Sequence, residues 1–234
     1  PKNELMTLYA QGDYELTDNT SLYGEVLLNR RTTTTNGYRQ FWSYKYNEDF
    51  FAGDPLSAGW TGAQWLSPTP ITDHSGEKIT VDYRRFVVGL NGDFGNWYWD
   101  LAYQNSYSSG DYKSKLIYDD AITPYNFSSG SCAGEVTPVR GVPCIDVPWL
   151  DPQFLAGNIS PEVRAFLFGE QTGNTVYKQQ SVEGFISGDL MELPAGQLGS
   201  AFGFQYQKDS INDVPGPETL RGNAWGQTSA GITT

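Results

Sequence analysis

Three stretches of the chain alternate apolar and polar residues with a period of two, the spacing that places every second side chain on one face of a strand. In the first, Leu8, Ala10, Gly12, Tyr14 and Leu16 share one side and Tyr9, Gln11, Asp13 and Glu15 the other. Leu22, Gly24, Val26 and Leu28 repeat the pattern after Thr17-Asp18-Asn19-Thr20-Ser21. That polar break is turn chemistry, so residues 5–31 are predicted to form a hairpin. Residues 80–107 read as a second hairpin about Asp93-Phe94-Gly95-Asn96, with Phe86, Val88 and Leu90 before the turn and Trp97, Trp99, Leu101 and Tyr103 after it. The third, 176–209, turns at Leu193-Pro194-Ala195-Gly196 and sets Val182, Ile186 and Leu190 beside Leu198, Phe202, Phe204 and Tyr206. Each hairpin has one apolar face and one polar face.

Between and after the hairpins lie segments 32–79, 108–175 and 210–234, which read as long loops. A soluble sandwich turns every ~8–12 residues, and loops beyond ~12–15 residues are uncommon in compact domains. Short turns at one end with long loops at the other is the asymmetry of bacterial outer-membrane barrels. Phe94, Trp97 and Trp99 gather at the short-turn end, where such a barrel carries an aromatic girdle. The predicted fold is therefore all-β: an antiparallel transmembrane β-barrel segment of about six strands with long extracellular loops. It is incomplete on its own, since the smallest single-chain barrels have about eight strands. In that arrangement Asp13, Glu15, Glu25, Asp100, Glu183 and Asp189 line a lumen, and Leu101, Ile186 and Phe204 meet lipid.

Composition narrows the field. Aromatic residues make up 15% of the chain and charged residues 18%, a mixture that suits pleated sheet better than helix. The formal charge of -12 argues against a sequence-independent grip on nucleic acid. No run approaches the roughly 18 apolar residues of a membrane helix, whereas alternating barrel strands escape that test. No charged-then-apolar leader follows Pro1, so an export signal is expected to lie upstream or to have been removed. Cys132 and Cys144 lie close together in a Gly-, Pro- and Ser-rich region and are expected to form a disulfide in an oxidising compartment.

Several short motifs, in order along the chain, resemble the barrel of TonB-dependent receptors. They are Leu16-Thr17-Asp18 with Leu22-Tyr23-Gly24-Glu25, the Gly92-Asp93-Phe94-Gly95 turn, Val142-Pro143-Cys144, Ile159-Ser160-Pro161-Glu162, Ser187-Gly188-Asp189-Leu190 through Leu193-Pro194-Ala195-Gly196, Gln205-Tyr206, and Gly222-Asn223-Ala224-Trp225-Gly226. The resemblance implies a barrel of about 22 strands around a plug, placed in the cell outer membrane of a Gram-negative bacterium. It further implies active import of a scarce nutrient such as a siderophore, cobalamin or a saccharide. Its implied partners are outer-membrane lipid and lipopolysaccharide, the TonB energy-coupling complex acting through a plug domain, and a small-molecule ligand, with no nucleic acid. The chain departs from the pattern: no plug or TonB box is present, and Ile145-Asp146-Val147-Pro148-Trp149 follows Cys144 where Pro-Leu-Asn-Leu-Phe-Gly is usual.

No catalytic residue, metal site or cofactor is expected. His74, in Ile71-Thr72-Asp73-His74-Ser75, reads as a solvated loop residue, and Asp111, Asp119 and Asp120 lack the spacing of a calcium loop. Ser160 to Gly169 reads as a short helix, with Ser160 as N-cap, Pro161 at its first position and Val163, Phe166 and Leu167 on one packing face. The aromatic-rich first long loop supplies the candidate ligand-binding residues Trp42, Tyr44, Tyr46, Trp60 and Trp65. Two alternatives to transport are a secreted all-β carbohydrate-binding protein, whose loop tryptophans stack on sugars, and a non-specific porin.

Overall fold

The structure, a computed structural model, describes residues 1–44, 65–122, 131–149 and 151–234; of 42–44 and 65–67 it describes only the backbone. Its strands are β1 (Lys2–Thr17), β2 (Thr20–Thr35), β3 (Phe41–Tyr44), β4 (Trp65–Thr69), β5 (Glu77–Phe94), β6 (Trp97–Ile117), β7 (Phe168–Leu193), β8 (Gly196–Val214) and β9 (Ile232–Thr233). Among the described residues four short helices punctuate the connections: α1 (Asp119–Ile122), α2 (Pro152–Leu155), α3 (Pro161–Leu167) and α4 (Pro217–Leu220). Seven strands form one antiparallel sheet in the order β1-β2-β5-β6-β7-β8-β9, and β3 and β4 pair separately.

The ladders follow from the alternation. Leu8 pairs with Leu28, Val26 with Phe86, Leu90 with Leu101, Gly184 with Leu101 and with Phe204, so apolar residues of neighbouring strands stand side by side. The opposite face is polar and bonded across strands: the Arg85 guanidinium meets the Glu25 carboxylate at 2.7 Å, and the Tyr23 hydroxyl donates to Asp100 Oδ1 at 3.1 Å. Burial and that carboxylate together push the Tyr23 phenol up to about 12. On the apolar face Phe86, Val88, Leu101, Phe202, Phe204 and Tyr206 are exposed.

The sheet does not close. Among the described residues β1 pairs with β2 alone, and the far side of β8 meets β9 only at Asn212 and Asp213. The expectation of a transmembrane β-barrel segment of about six strands is corrected to an open antiparallel sheet of seven. A lumen and a plug seat require the first strand to bond the last, as in any closed barrel. With the barrel fall the readings that hung on it: TonB-energised nutrient import, an outer-membrane location, lipid and lipopolysaccharide as partners, and the TonB complex acting through a plug. The porin alternative falls for the same reason. Asp13, Glu25, Asp100 and Glu183 therefore lie on one face of a sheet, where a lumen was expected. Among the described residues no helix is long and apolar enough to cross a membrane.

Strands run well past the predicted hairpin limits. The expected 5–31, 80–107 and 176–209 lie inside pairs that span Lys2–Thr35, Glu77–Ile117 and Phe168–Val214. The added length consumes much of the expected loops 32–79 and 108–175, and 210–234 contributes the end of β8, α4 and β9.

What remains of the loops packs into a core at one end of the sheet. Phe41, Ile71, Ile122, Trp149, Phe154, Phe166, Leu167 and Phe168 are buried together there. The predicted helix is α3, with the Ser160 hydroxyl accepting from Val163 N at 3.2 Å and with Val163, Phe166 and Leu167 buried. Cys132 and Cys144 are disulfide-bonded with Cα atoms 5.8 Å apart. Their loop is tied further at Asp146, which accepts from Ser131 Oγ and Cys132 N, both at 2.6 Å.

Asp120, expected in a solvated loop, is instead fully buried. Its carboxylate accepts from Arg140 Nε at 2.8 Å and Arg140 N at 2.9 Å. Arg140 also donates to Phe166 O at 3.0 Å and lies 3.7 Å over the Tyr118 ring. Breaking a buried pair from one side costs about 3–5 kcal/mol, because the partner charge stays buried. Arg140→Met should therefore destabilise the chain by about that amount in denaturant unfolding, and by more than the exposed-pair variant Arg30→Met. Equal losses would show that the buried pair carries no special weight.

Candidate functional site

A cleft opens where the loop core meets the ends of β2, β5 and β6. Two adjoining cavities, of about 450 and 480 Å3, share Arg39, His74, Lys115 and Gln227 in their walls. Both fall in the ~300–1,000 Å3 range of small-molecule pockets. Ser75, Glu77 and Tyr112 line the first; Phe41, Ile117 and Trp225 line the second.

Each wall is fixed by its own backbone bond. Asn36 Oδ1 accepts from Tyr38 N at 3.0 Å, and Tyr38 takes the left-handed φ of 46°, so the chain turns sharply just before Arg39. Arg39 N then donates to Ser75 Oγ at 3.1 Å, and Phe41 N to Ile71 O at 2.9 Å, which clamps segment 39–41 to the strand leading into β5. Lys115 N donates to Gly76 O at 3.0 Å. A Cβ on Gly76 would stand 3.3 Å from Lys115 Cδ, so glycine at this position lets the lysine stem lie close over the backbone. Trp225 N donates to Ile117 O at 2.9 Å and brings the indole, 39% exposed, to the cleft.

Gln227 is held by a glutamine. Gln171, buried in β7, accepts from Glu218 N and Thr219 N through Oε1, and donates through Nε2 to Thr219 Oγ1 at 2.6 Å and to Gln227 Oε1 at 2.9 Å. With its carbonyl oxygen so engaged, Gln227 keeps its amide N–H groups as donors for a ligand.

His74 occupies the junction of the two cavities. Its ring stacks on Phe168 with centroids 5.8 Å apart and meets Phe41 edge-on at the same distance. Among the described residues its buried Nδ1 has no hydrogen-bond partner. The expected solvated histidine is thus half-buried, and its acidity follows: burial first, then the Arg39 charge, hold its pKa below the ordinary value, outweighing Asp73.

A third cavity, of about 400 Å3, sits on the sheet between Met6, Leu8, Leu28 and Tyr107. In its wall Arg30 makes a two-point bond to Asp82 at 2.6 and 2.8 Å, and Arg84 lies 4.6 Å over the Tyr107 ring. The loop-end cleft offers its polar groups to a ligand instead.

The described walls of the cleft include none of the residues proposed from sequence. Trp42, Tyr44 and Trp65 belong to the β3–β4 pair, with Trp42 opposite Pro68 and Tyr44 opposite Trp65, and their side chains lie outside the described residues. Tyr46 and Trp60 lie outside them altogether. β3 does begin at Phe41, a wall of the cleft. Asp111 is bonded to Asn174 Nδ2 at 2.7 Å in the sheet, away from the Asp120–Arg140 pair.

Comparison with protein-family models, curated proteins and solved structures finds no match. The resemblance to TonB-dependent receptors is corrected on this ground too: short motifs in order did not amount to membership.

The histidine gives a pH prediction. Because its folded pKa is lowered, the unfolded chain binds the proton first as pH falls through about 6.5, so acid favours unfolding. The stability of the parent chain minus that of His74→Gln should decline as pH is lowered from about 7.5 to 5, with carboxylate effects common to both cancelling. Parallel curves across that window would refute the assignment.

Proposed function

We propose that this chain is an exported, non-catalytic carbohydrate-binding protein whose ligand sits in the loop-end cleft. The observation that carries the reading is the exposed Trp225 indole at a concave wall shared with Gln227, His74, Arg39 and Lys115. A sugar ring has an apolar face of C–H groups and a rim of hydroxyls. An aromatic surface answers the first, and donors with an acceptor at fixed positions answer the second. Gln227 and Lys115 supply donors, and the neutral His74 ring supplies an acceptor nitrogen.

The mounting supports recognition. Arg39, Phe41, Lys115 and Trp225 are each tethered through their backbone N–H, and Gln227 through the Gln171 side chain, so little ordering is required on binding. Export is supported by the Cys132–Cys144 disulfide, which persists in oxidising compartments. Binding without turnover is the reading because no nucleophile–base pair faces the cleft among the lining residues, and its one histidine rests on aromatic rings with no carboxylate orienting it.

Titration of the purified chain with mono- and oligosaccharides, followed by tryptophan fluorescence and calorimetry, should show saturable binding. Trp225→Ala should weaken it about tenfold or more, or about 1.4 kcal/mol, with an unchanged circular dichroism spectrum. Absence of binding at millimolar sugar, or binding indifferent to Trp225→Ala, would reject this function.

A further inference from the structure

We infer that the cleft selects acidic saccharides, sugars bearing a carboxylate or a sulfate ester, with Arg39 and Lys115 receiving the anionic group. The inference rests on the carbohydrate-binding reading and sharpens it.

Charge placement makes the argument. The chain has 27 acidic against 15 basic residues, so a random cleft on it would be acidic. This one holds an arginine and a lysine against the single carboxylate of Glu77. Of the described cations outside the cleft, Lys2, Arg30, Arg85, Lys113, Arg140, Arg164 and Arg221 enter ion pairs, and Arg31, Lys78, Arg84, Lys178 and Lys208, which do not, line neither of its cavities. Among the described residues neither Arg39 nor Lys115 enters an ion pair, although Glu77 lines the same cavity as both. Two cations held at a concave wall and not neutralised from within are a cost that an anionic ligand removes. An arginine fork can take a carboxylate or sulfate by two parallel bonds, and a lysine ammonium adds a point charge.

The rest of the wall excludes other anions. A bare inorganic ion would use Arg39 and Lys115 but leave Trp225 and the His74 acceptor without a role. A nucleic acid would have to overcome the repulsion of a chain at -12. A ring that carries hydroxyls and one acid group engages the whole surface.

The test compares trigalacturonate, a sulfated disaccharide, a neutral galactose trisaccharide and inorganic sulfate on the intact chain by calorimetry. At least one acidic sugar should bind at least tenfold more tightly than the neutral one. That margin should shrink as NaCl rises from about 50 to 500 mM, since cations at an open wall are screened. Arg39→Gln and Lys115→Gln should each cut the margin at least threefold, and Arg39→Lys should keep more of it than Arg39→Gln. Circular dichroism and free-thiol counting check that the variants are folded and oxidised. Equal affinity for neutral and acidic sugars overturns the charge selection while leaving carbohydrate binding in place. An acidic preference that survives both glutamine variants overturns the assignment to these residues. Sulfate ion binding as tightly as any sugar, with the neutral trisaccharide silent, overturns carbohydrate recognition itself.

Discussion

A carboxylate removed from water must find its hydrogen bonds within the protein, and Asp120 finds them in one residue, Arg140. Arg140 in turn binds the carbonyl of Phe166 on α3 and lies against Tyr118, and the Asp120 amide donates to Asn223 Oδ1 at 2.8 Å. One ion pair therefore joins α1, the disulfide-bearing loop, α3 and the C-terminal segment. These four pieces have little regular structure of their own, with helices of four to seven residues. Short helices are marginal without packing, so the pair and the aromatic core around it set where the connections go. Trp225 follows directly, two residues beyond Asn223, whose carbonyl accepts from Asp119 N at 3.0 Å.

The sheet plays the opposite part. Its strands need no core to define their register, because each is bonded along its length to its neighbours and apolar positions of one repeatedly meet apolar positions of the next, as Val26 meets Phe86, Leu90 meets Leu101 and Ile186 meets Phe202. A rigid ladder ends at Thr35, Glu77 and Ser114, and the cleft begins there. Arg39 and His74 thus sit a few residues beyond fixed points, and Lys115 stands within β6 itself, opposite Glu170.

How much of this was legible in the sequence depends on whether a feature is local. Alternation in Leu22–Leu28 and Phe86–Leu90 is local, and the faces it predicts are the faces observed. The tops of β6 and β7 are not, since Ser108, Ser109, Gly110, Asp111 and Lys113 carry no apolar rhythm; they are strand because Val81, Asp82 and Val176 are there to pair with. Closure is less local still. Short turns and long loops describe each hairpin separately, and nothing in them states whether the first strand meets the last. The barrel expectation failed at that step, and the linear motifs could not repair it because each belongs to a turn or a strand end.

The cleft was illegible for a related reason. Arg39, His74, Lys115 and Trp225 come from four segments, and no spacing links them. The aromatic density at 41–65 falls largely outside the described residues, and the described wall takes Phe41 and Arg39 from the start of that connection. The visible clue was the lone histidine, discounted because polar loops are usually solvated. Its burial could be known only once Phe41 and Phe168, 127 residues apart (168 less 41), were seen with ring centroids 5.2 Å from each other and both against the imidazole. The same contacts explain why the His74 pKa lies below the ordinary value. An imidazole set between two phenyl rings and facing a guanidinium charge loses stabilisation of its cationic form from every side but that of Asp73, and Asp73 is itself engaged by Arg164. Its buried Nδ1 has no hydrogen-bond partner among the described residues, so packing between the two rings and the Arg39 charge, with no hydrogen bond to oppose them, account for the lowered pKa of the group that looked most ordinary in the sequence.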